Sequence, residues 1–433
     1  MQMKVLLLAA GRSKRMKPVE DKNFLKFLGK PLIVWQLEML KEVGLLDVVV
    51  VGGDHNLERL KDATDHLEMN IEYVEQENLD EGMCGAVLAA KEYILEQSVL
   101  VFSSNDVVEA SAFETLKRAF EPGDMDSYIL GKKVESYFPG GYLETNEDGV
   151  ISRIVEKPGE GNEPSDLVNL VVHLHKHTGD LIEALENVES DNDDKYEVAL
   201  SNMIAGGSKM KAVAYEGFWQ PIKFPWHIQK VARFLINESE KFIASSAQIA
   251  ATAVIHGKVI IDEDVKIMDG AIVSGPCYLG KGSVVANNAL VRDSNVGERC
   301  VVGFGTEVAR SYLGDDVWTH SNYIGDSVIG NNVSFGAGCV TGNLRLDEGE
   351  VMVDFDGKKL SSQSNKFGLI TGSNIRVGVN TSFMPGVKIG DDCFIGAGIV
   401  VAENVPDKSF VRAKVELKIS ENNQSAPRRD NFK

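Results

Sequence analysis

From residue 279 onward the chain repeats a two-residue unit, an apolar side chain followed by glycine, at a spacing that few folds can absorb. The pairs are Leu279-Gly280, Val296-Gly297, Leu313-Gly314, Ile324-Gly325, Ile329-Gly330 and Phe335-Gly336, separated by 17, 17, 11, 5 and 6 residues, each a multiple of six or one short of it. Ile389-Gly390 and Ile395-Gly396 resume the beat. A six-residue period means a parallel β-helix, in which each rung turns one aliphatic residue inward and only stacked neighbours close a core. Open solenoid faces need a cover, so the period also predicts an oligomer. Residues 343–367 break the beat and contain the turn dipeptide Asp356-Gly357, which predicts a loop leaving the coil.

The first half has another rhythm. Apolar runs at 5–8, 48–51 and 99–102 alternate with helix-like segments at 32–43 and 84–95, the strand-helix-strand order of an α/β domain with a largely parallel sheet. Ligands of such sheets sit at the carboxyl ends of the strands. The expected division is an α/β domain over 1–240, a connecting helix at about 226–243, the solenoid over 244–415 and a polar tail over 416–433.

Composition narrows the partners. Asp and Glu number 64 against 45 Lys and Arg, a formal net charge of -19 that repels nucleic acid and anionic lipid. No stretch reaches the ~18 apolar residues of a membrane span, and Arg12, Lys14 and Arg15 follow the short apolar run at 5–10. No nucleic-acid partner, export signal or membrane insertion is therefore expected. Cys84, Cys277, Cys300, Cys339 and Cys393 are odd in number and scattered, with no zinc-like pair, which suits a reducing, cytoplasmic setting.

Within this acidic chain, residues 12–30 hold Arg12, Lys14, Arg15, Lys17, Lys22, Lys26 and Lys30 against only Glu20 and Asp21. They follow a small-residue loop directly after the first strand, where backbone N–H groups can cradle phosphates. The segment from Leu8, Ala9, Ala10 and Gly11 through Ser13, Lys14, Arg15 and Met16 resembles the sugar-1-phosphate nucleotidylyltransferase signature L-A-A-G-x-G-[ST]-R-[ML]. Lys22 stands seven residues ahead of Gly29-Lys30-Pro31, as that family's lysine does. The resemblance spans residues 3–235 and implies a Rossmann-like nucleotidyltransferase domain. It implies that Leu8, Ala9, Ala10, Gly11, Gln76 and Gly82 hold the nucleotide, UTP or dTTP, while Arg15 and Lys22 act on its phosphates. It further implies that Asp106 binds Mg2+ and that Gly141, Glu156, Lys157 and Asn169 hold a sugar 1-phosphate. Three departures stand out: Ser13 and Lys14 replace Gly and Ser/Thr, Asn105 stands where Gly is common, and Pro221 replaces the second metal aspartate of W-x-D-I-G-x-P, with Lys223 two positions on.

The run Trp318-Thr319-His320-Ser321-Asn322-Tyr323 precedes Gly342-Asn343-Leu344-Arg345-Leu346-Asp347. In spacing this resembles the acetyltransferase half of bifunctional glucosamine-1-phosphate acetyltransferase/N-acetylglucosamine-1-phosphate uridylyltransferases, especially the archaeal type with N-L-R-[FL]-D. The match covers residues 245–412. It implies a left-handed β-helix, acetyl-CoA as co-substrate and a homotrimer with acyl-CoA sites between solenoids. His320 becomes the general base, with Tyr323 and Asn343 contacting the sugar phosphate or assisting. A base is needed because a protonated amine cannot attack a thioester, and imidazole suits that task near neutrality. The archaeal type carries lysines soon after this segment, where this chain has Glu348, Gly349 and Glu350; Lys358, Lys359 and Lys366 are the candidates to compensate.

Two further patterns carry less weight. Gly275-Pro276-Cys277-Tyr278-Leu279-Gly280-Lys281 imitates a phosphate-binding P-loop, but it ends in Gly282 and lies inside the solenoid. His173, His175 and His177 alternate and would share one strand face, where they could in principle take a metal. The residues alone leave two other readings open, a nucleotidyltransferase with a purely structural solenoid and a non-catalytic regulatory protein.

Overall fold

The computed structural model describes residues 3–426 except 122, 193, 356 and 415. Lys4–Leu8 is the pivot of a nine-stranded sheet. It pairs in parallel with Asp47–Gly52 on one side and Val99–Ser103 on the other, and Asn70–Glu75 extends the parallel part. Beyond Val99–Ser103 the sheet turns antiparallel through Leu167–His175, Gly141–Thr145 and Ile151–Glu156. Because the chain runs outward in opposite directions from Lys4–Leu8, a crevice opens at the carboxyl end of that strand. Strand alternation splits its side chains between two cores, Leu6, Leu8 and Ala10 on one face, Val5, Leu7 and Ala9 on the other.

The first long helix, Leu32–Glu42, starts directly after Pro31 and stops just before Gly44, whose φ of +76° gives the left-handed turn that ends helices. The connecting helix is His227–Glu238. Among the described residues no helix is long and apolar enough to cross a membrane.

The second half is a coil of short parallel strands stacked into faces of eight strands, seven strands, and two four-stranded pieces linked through Trp318. Valine, isoleucine and leucine fill the interior, with Cys277, Cys300, Cys339 and Cys393 as small fillers. All five cysteines are free thiols. The P-loop look-alike falls on a coil turn and the strand Cys277–Leu279.

The seven-stranded face meets the α/β half. Tyr312, Val328 and Ile370 pack with Phe27, Trp226, Ile228 and Val231, and Ile260 and Tyr278 pack with Ile236 and Leu28. Lys26 pairs with Asp315 at 2.8 Å, and the Leu28 N–H donates to Asn295 Oδ1 at 3.3 Å. Gly29 lies so close that a Cβ there would come within 2.8 Å of the Tyr278 hydroxyl. The period break over 343–367 does leave the coil; its apolar side packs on the α/β half while Leu346, Glu348, Lys358 and Lys359 stay exposed. Its hairpin, Met352–Phe355 against Lys358–Ser361, brings buried Val351, Val353 and Phe367 onto Trp226, and Phe355 lies 5.7 Å from Phe224. Asp356 of the expected turn lies outside the described residues.

At Gly280, Gly297, Gly330 and Gly336 the glycine after the inward aliphatic residue is a steric requirement. A Cβ on Gly297 would lie 2.4 Å from the Gly314 carbonyl oxygen in the next rung, while Gly305, with φ of +63°, has nothing within 4 Å. Gly297→Ala should cost about 3 kcal/mol by overpacking, and Gly305→Ala only about 1 kcal/mol for its left-handed backbone. Thermal denaturation followed by circular dichroism would read the difference, and equal losses would contradict this account of the rung.

Candidate active sites

A cleft of about 590 Å³ opens at the carboxyl ends of the parallel strands. Leu8, Ala10, Gly11, Arg15, Lys22, Gln76, Gly82, Asp106, Gly141, Glu156, Lys157 and Asn169 all line it. Ala9 does not. It is buried on the opposite face, where its carbonyl accepts from Asn23 and Asn56, each at 3.0 Å, and anchors the loop from behind.

The loop's shape depends on Asp21, one of the two acidic residues in the basic segment. Its carboxylate accepts from Ser13 Oγ at 3.1 Å and Asn56 Nδ2 at 2.9 Å, and caps the short helix Lys22–Phe24 through the Asn23 N–H. Ser13 has φ of +49°, so the backbone at this replaced glycine is left-handed all the same. A polar side chain tolerates that conformation when a local hydrogen bond holds it, and Asp21 supplies one. The fold sets Lys22 against the loop backbone, for a Cβ on Gly11 would lie 3.3 Å from Lys22 Nζ.

Four charges converge on the cleft floor. Burial pulls the Lys22 ammonium down from its ordinary 10.5 to about 8, with Arg15 and Lys223 opposing its charge and Asp21 and Asp106 favouring it. Lys223 is lowered as well, again mainly by burial. Asp106 is raised by burial, and the hydrogen bond from Trp219 Nε1 to its Oδ1 at 2.7 Å works against the rise. Pro221 stands directly opposite Asp106 in the two-stranded ladder, so no second carboxylate faces it there. Lys223 Nζ lies 4.5 Å from the Phe138 ring centroid and donates to the Pro139 carbonyl at 3.3 Å. Among the described residues no group of three His, Cys, Asp or Glu side chains is placed to hold a metal. Asp106 thus offers one free carboxylate oxygen, enough for a Mg2+ ion that takes its other ligands from phosphates and water.

At one end of the cleft, Gln76 Nε2 donates to the carbonyls of Asn78 and Gly82 at 2.9 and 3.0 Å, and among the described residues its carbonyl oxygen has no hydrogen-bond partner. At the other end Gly141, Glu156 and Asn169 crowd together: a Cβ on Gly141 would lie 3.1 Å from Glu156 Oε2 and 3.4 Å from Asn169 Nδ2. His173 and His175 lie behind Asn169 in the core, whereas His177 is exposed, so the alternating histidines do not assemble a metal site.

A second cluster sits on the coil. His320 occupies an exposed turn whose backbone N–H donates to Asn322 Oδ1, and Asn322 in turn donates to the Gly336 carbonyl at 2.8 Å, tying the turn to the next rung. Tyr323 OH accepts from Asn343 Nδ2 at 3.1 Å, and Asn343 also donates to Asp326. Asp326 is buried and held at 2.6 and 2.7 Å by Arg310. Asp326 closes the motif run that begins at Trp318, while no sequence signal marks Arg310. Both line a recess of about 180 Å³ that also contains Lys366. Lys358 and Lys359 lie instead on the exposed hairpin strand. Among the described residues the His320 ring makes no hydrogen bond, so both ring nitrogens are open to a substrate.

With both clusters placed, comparison with known proteins decides the family. Residues 5–193 match the family described as MobA-like NTP transferase domain, and residues 238–325 match GMPPB C-terminal domain. Over 420 residues the chain is 33% identical to a bifunctional sugar-1-phosphate nucleotidylyltransferase/acetyltransferase of Sulfurisphaera tokodaii, covering 95% of this chain and 100% of that protein. The chain belongs to this bifunctional transferase family. It is also 31% identical over 428 residues to bifunctional protein GlmU of Methanococcus maripaludis strain S2, covering 96% of this chain and 99% of that protein. With bifunctional protein GlmU of Methanocaldococcus jannaschii the identity is 29% over 422 residues, covering 96% and 98%. The alignments run through both clusters, so each half of the transferase has counterparts in proteins named for two activities.

Lys22 gives the cleft a measurable pH signature. Between about 8 and 10.5 the unfolded chain binds more protons at Lys22 than the folded one, so its contribution to stability rises with pH across that window. A side-chain carbon shift titration of Lys22 should give a midpoint near 8; a midpoint at the ordinary 10.5 would contradict its burial beside Arg15 and Lys223.

Proposed function

We propose that this transferase acetylates glucosamine 1-phosphate from acetyl-CoA and joins the product to UTP with release of pyrophosphate. Residues 1–240 serve the second step and residues 244–415 the first. The observation that carries the nucleotidyl half is the convergence of Lys22 and Lys223 on one buried carboxylate, Asp106, in a cleft that Arg15 also lines.

In the nucleotidyl step a phosphate oxygen of the sugar attacks the α-phosphorus in line, and the bond to the bridging oxygen of the β-phosphate breaks as pyrophosphate leaves. The transition state spreads negative charge over non-bridging oxygens, and fixed cations stabilise it without reorganising. Lys22 and the Gly11 backbone hold the phosphates, Arg15 neutralises the leaving pyrophosphate, Gln76 and Gly82 read the base, and Glu156, Lys157 and Asn169 orient the sugar phosphate. Bound on Asp106 and substrate phosphates, Mg2+ would supply further charge neutralisation. Lys223 stands in the region where Pro221 withholds a second carboxylate, so this chain meets part of the same electrostatic demand with an ammonium.

In the acetyl step the sugar amine attacks the thioester carbonyl carbon, the carbon–sulfur bond breaks, and the proton shed by nitrogen passes to His320 and on to the departing thiolate. Tyr323 and Asn343, joined to each other and braced by Asp326 and Arg310, position the sugar phosphate beside it. A homotrimer completes the reading. Val254, Ile272, Val340 and Val400 are exposed on the eight-stranded face in one register row with Leu290, Glu307, Tyr323 and Ser382, and these exposed apolar side chains suit a neighbouring copy. Five free thiols favour a cytoplasmic location.

Separate assays test the two halves. Lys22→Ala should lower pyrophosphate release from UTP and N-acetylglucosamine 1-phosphate by about 10²–10³-fold while sparing thiol release. His320→Ala should lower thiol release from acetyl-CoA by about 10²–10⁴-fold while sparing pyrophosphate release. Unchanged thiol release in His320→Ala, or none in the parent, would remove the acetyl half and favour a nucleotidyltransferase with a structural solenoid.

A further inference from the structure

Behind Asn169 runs a row of buried polar groups that neither transfer step consumes. Asn169 Oδ1 is 2.8 Å from His173 Nε2, and His173 Nδ1 is 3.0 Å from the Tyr196 hydroxyl. That hydroxyl is 3.2 Å from His175 Nε2, and His175 Nδ1 is 2.8 Å from Ser127 Oγ. His173, His175, Tyr196 and Ser127 are each no more than 1% exposed. Burial drives the imidazoles down to about 3 and about 4, so both rings are neutral. Each then has one donor and one acceptor nitrogen.

His173 also hydrogen-bonds the Leu170 backbone, and along the row itself the hydrogens can run in two senses. In one, Ser127 donates to His175 Nδ1, His175 Nε2–H to Tyr196, Tyr196 to His173 Nδ1, and His173 Nε2–H to Asn169 Oδ1. Every hydrogen along the row then has an acceptor. In the other sense His175 would donate to Ser127, and the Ser127 hydroxyl hydrogen would need an acceptor of its own. Among the described residues Ser127 Oγ has no hydrogen-bond partner but His175, and a buried donor left unpaired costs about 1–3 kcal/mol. The first sense wins, and at its end Asn169 receives a hydrogen on oxygen.

We infer that Ser127, His175, Tyr196 and His173 form a positioning relay that locks the Asn169 amide with its nitrogen toward the cleft, so that the sugar is met there by a donor. Beside that donor stands the Glu156 carboxylate, an acceptor, on the other flank of Gly141. A sugar hydroxyl answers both, accepting from Asn169 Nδ2 and donating to Glu156. An ammonium can answer only the carboxylate, so this corner favours a hydroxyl over a free amine. The inference rests on the reading of Asn169 as a sugar contact, but the relay itself is testable without substrate.

With histidine-selective ¹⁵N labelling of the full chain, His173 and His175 should both appear as Nε2–H tautomers, unchanged from neutral pH down to about pH 5. Nδ1–H tautomers would overturn the relay's direction. For turnover, His173→Leu should raise the KM for N-acetylglucosamine 1-phosphate about tenfold, the worth of one oriented neutral hydrogen bond, with the KM for UTP within about twofold. His173→Gln, whose amide can still donate to Asn169 Oδ1, should recover most of the loss. Equal losses in the two variants, or parallel rises in both KM values, would reduce His173 to packing and overturn the relay. A parent that releases no pyrophosphate with any sugar 1-phosphate would overturn the functional reading instead, and the tautomers would still decide the relay.

Discussion

The apolar seam between the seven-stranded solenoid face and the α/β half is the constraint on which both clusters lean. Phe27, Trp226, Tyr278 and Tyr312 are buried in it, and each large side chain removed from water contributes about 2 kcal/mol. The same short segment serves two masters: Lys22 faces the cleft, while Lys26, Phe27 and Gly29 a few residues later bind the rungs. The segment 221–226 does likewise, with Lys223 in the cleft and Phe224 and Trp226 against the hairpin that departs from the coil. Solenoid packing therefore holds two cleft cations in place from behind, which gives the second half of the chain a structural part in the first half's chemistry.

The cleft's electrostatics follow from what the fold withholds. A proline opposite Asp106 removes one anion, and burial makes every remaining charge expensive to leave uncompensated. Lys22 and Lys223 are lowered and Asp106 is raised by that common cause. Filling the cleft with a polyanionic triphosphate and a divalent cation would reverse those strains at once.

Much of this was legible in sequence, and the failures have definite causes. The six-residue beat gave the coil because its steric rule is local, a glycine wherever the next rung's backbone passes. The phosphate loop was legible as well, but assigning all of 8–11 to the nucleotide ignored strand alternation, which sends Ala9 to the opposite core. The insertion's destination was hidden, since Val351, Val353 and Phe367 look like any apolar residues until Trp226 is beside them. The alternating histidines were visible as a shared face, yet only the helix carrying Tyr196 shows that His173 and His175 share its hydroxyl and that His173 reaches Asn169, while His177 stays exposed. Among the three candidate lysines, only folding brings Lys366 to the Arg310 and Asp326 recess.

The central claim is that the cleft at the end of the pivot strand takes a nucleoside triphosphate with its phosphates between Gly11 and Lys22. A crystal structure of the chain with UTP and Mg2+ tests it most directly. The account predicts phosphate oxygens within hydrogen-bond distance of the Gly11 N–H and Lys22 Nζ, the uracil against Gln76 Oε1, and the metal on Asp106. A triphosphate seated elsewhere, or a metal bound away from Asp106, would contradict it.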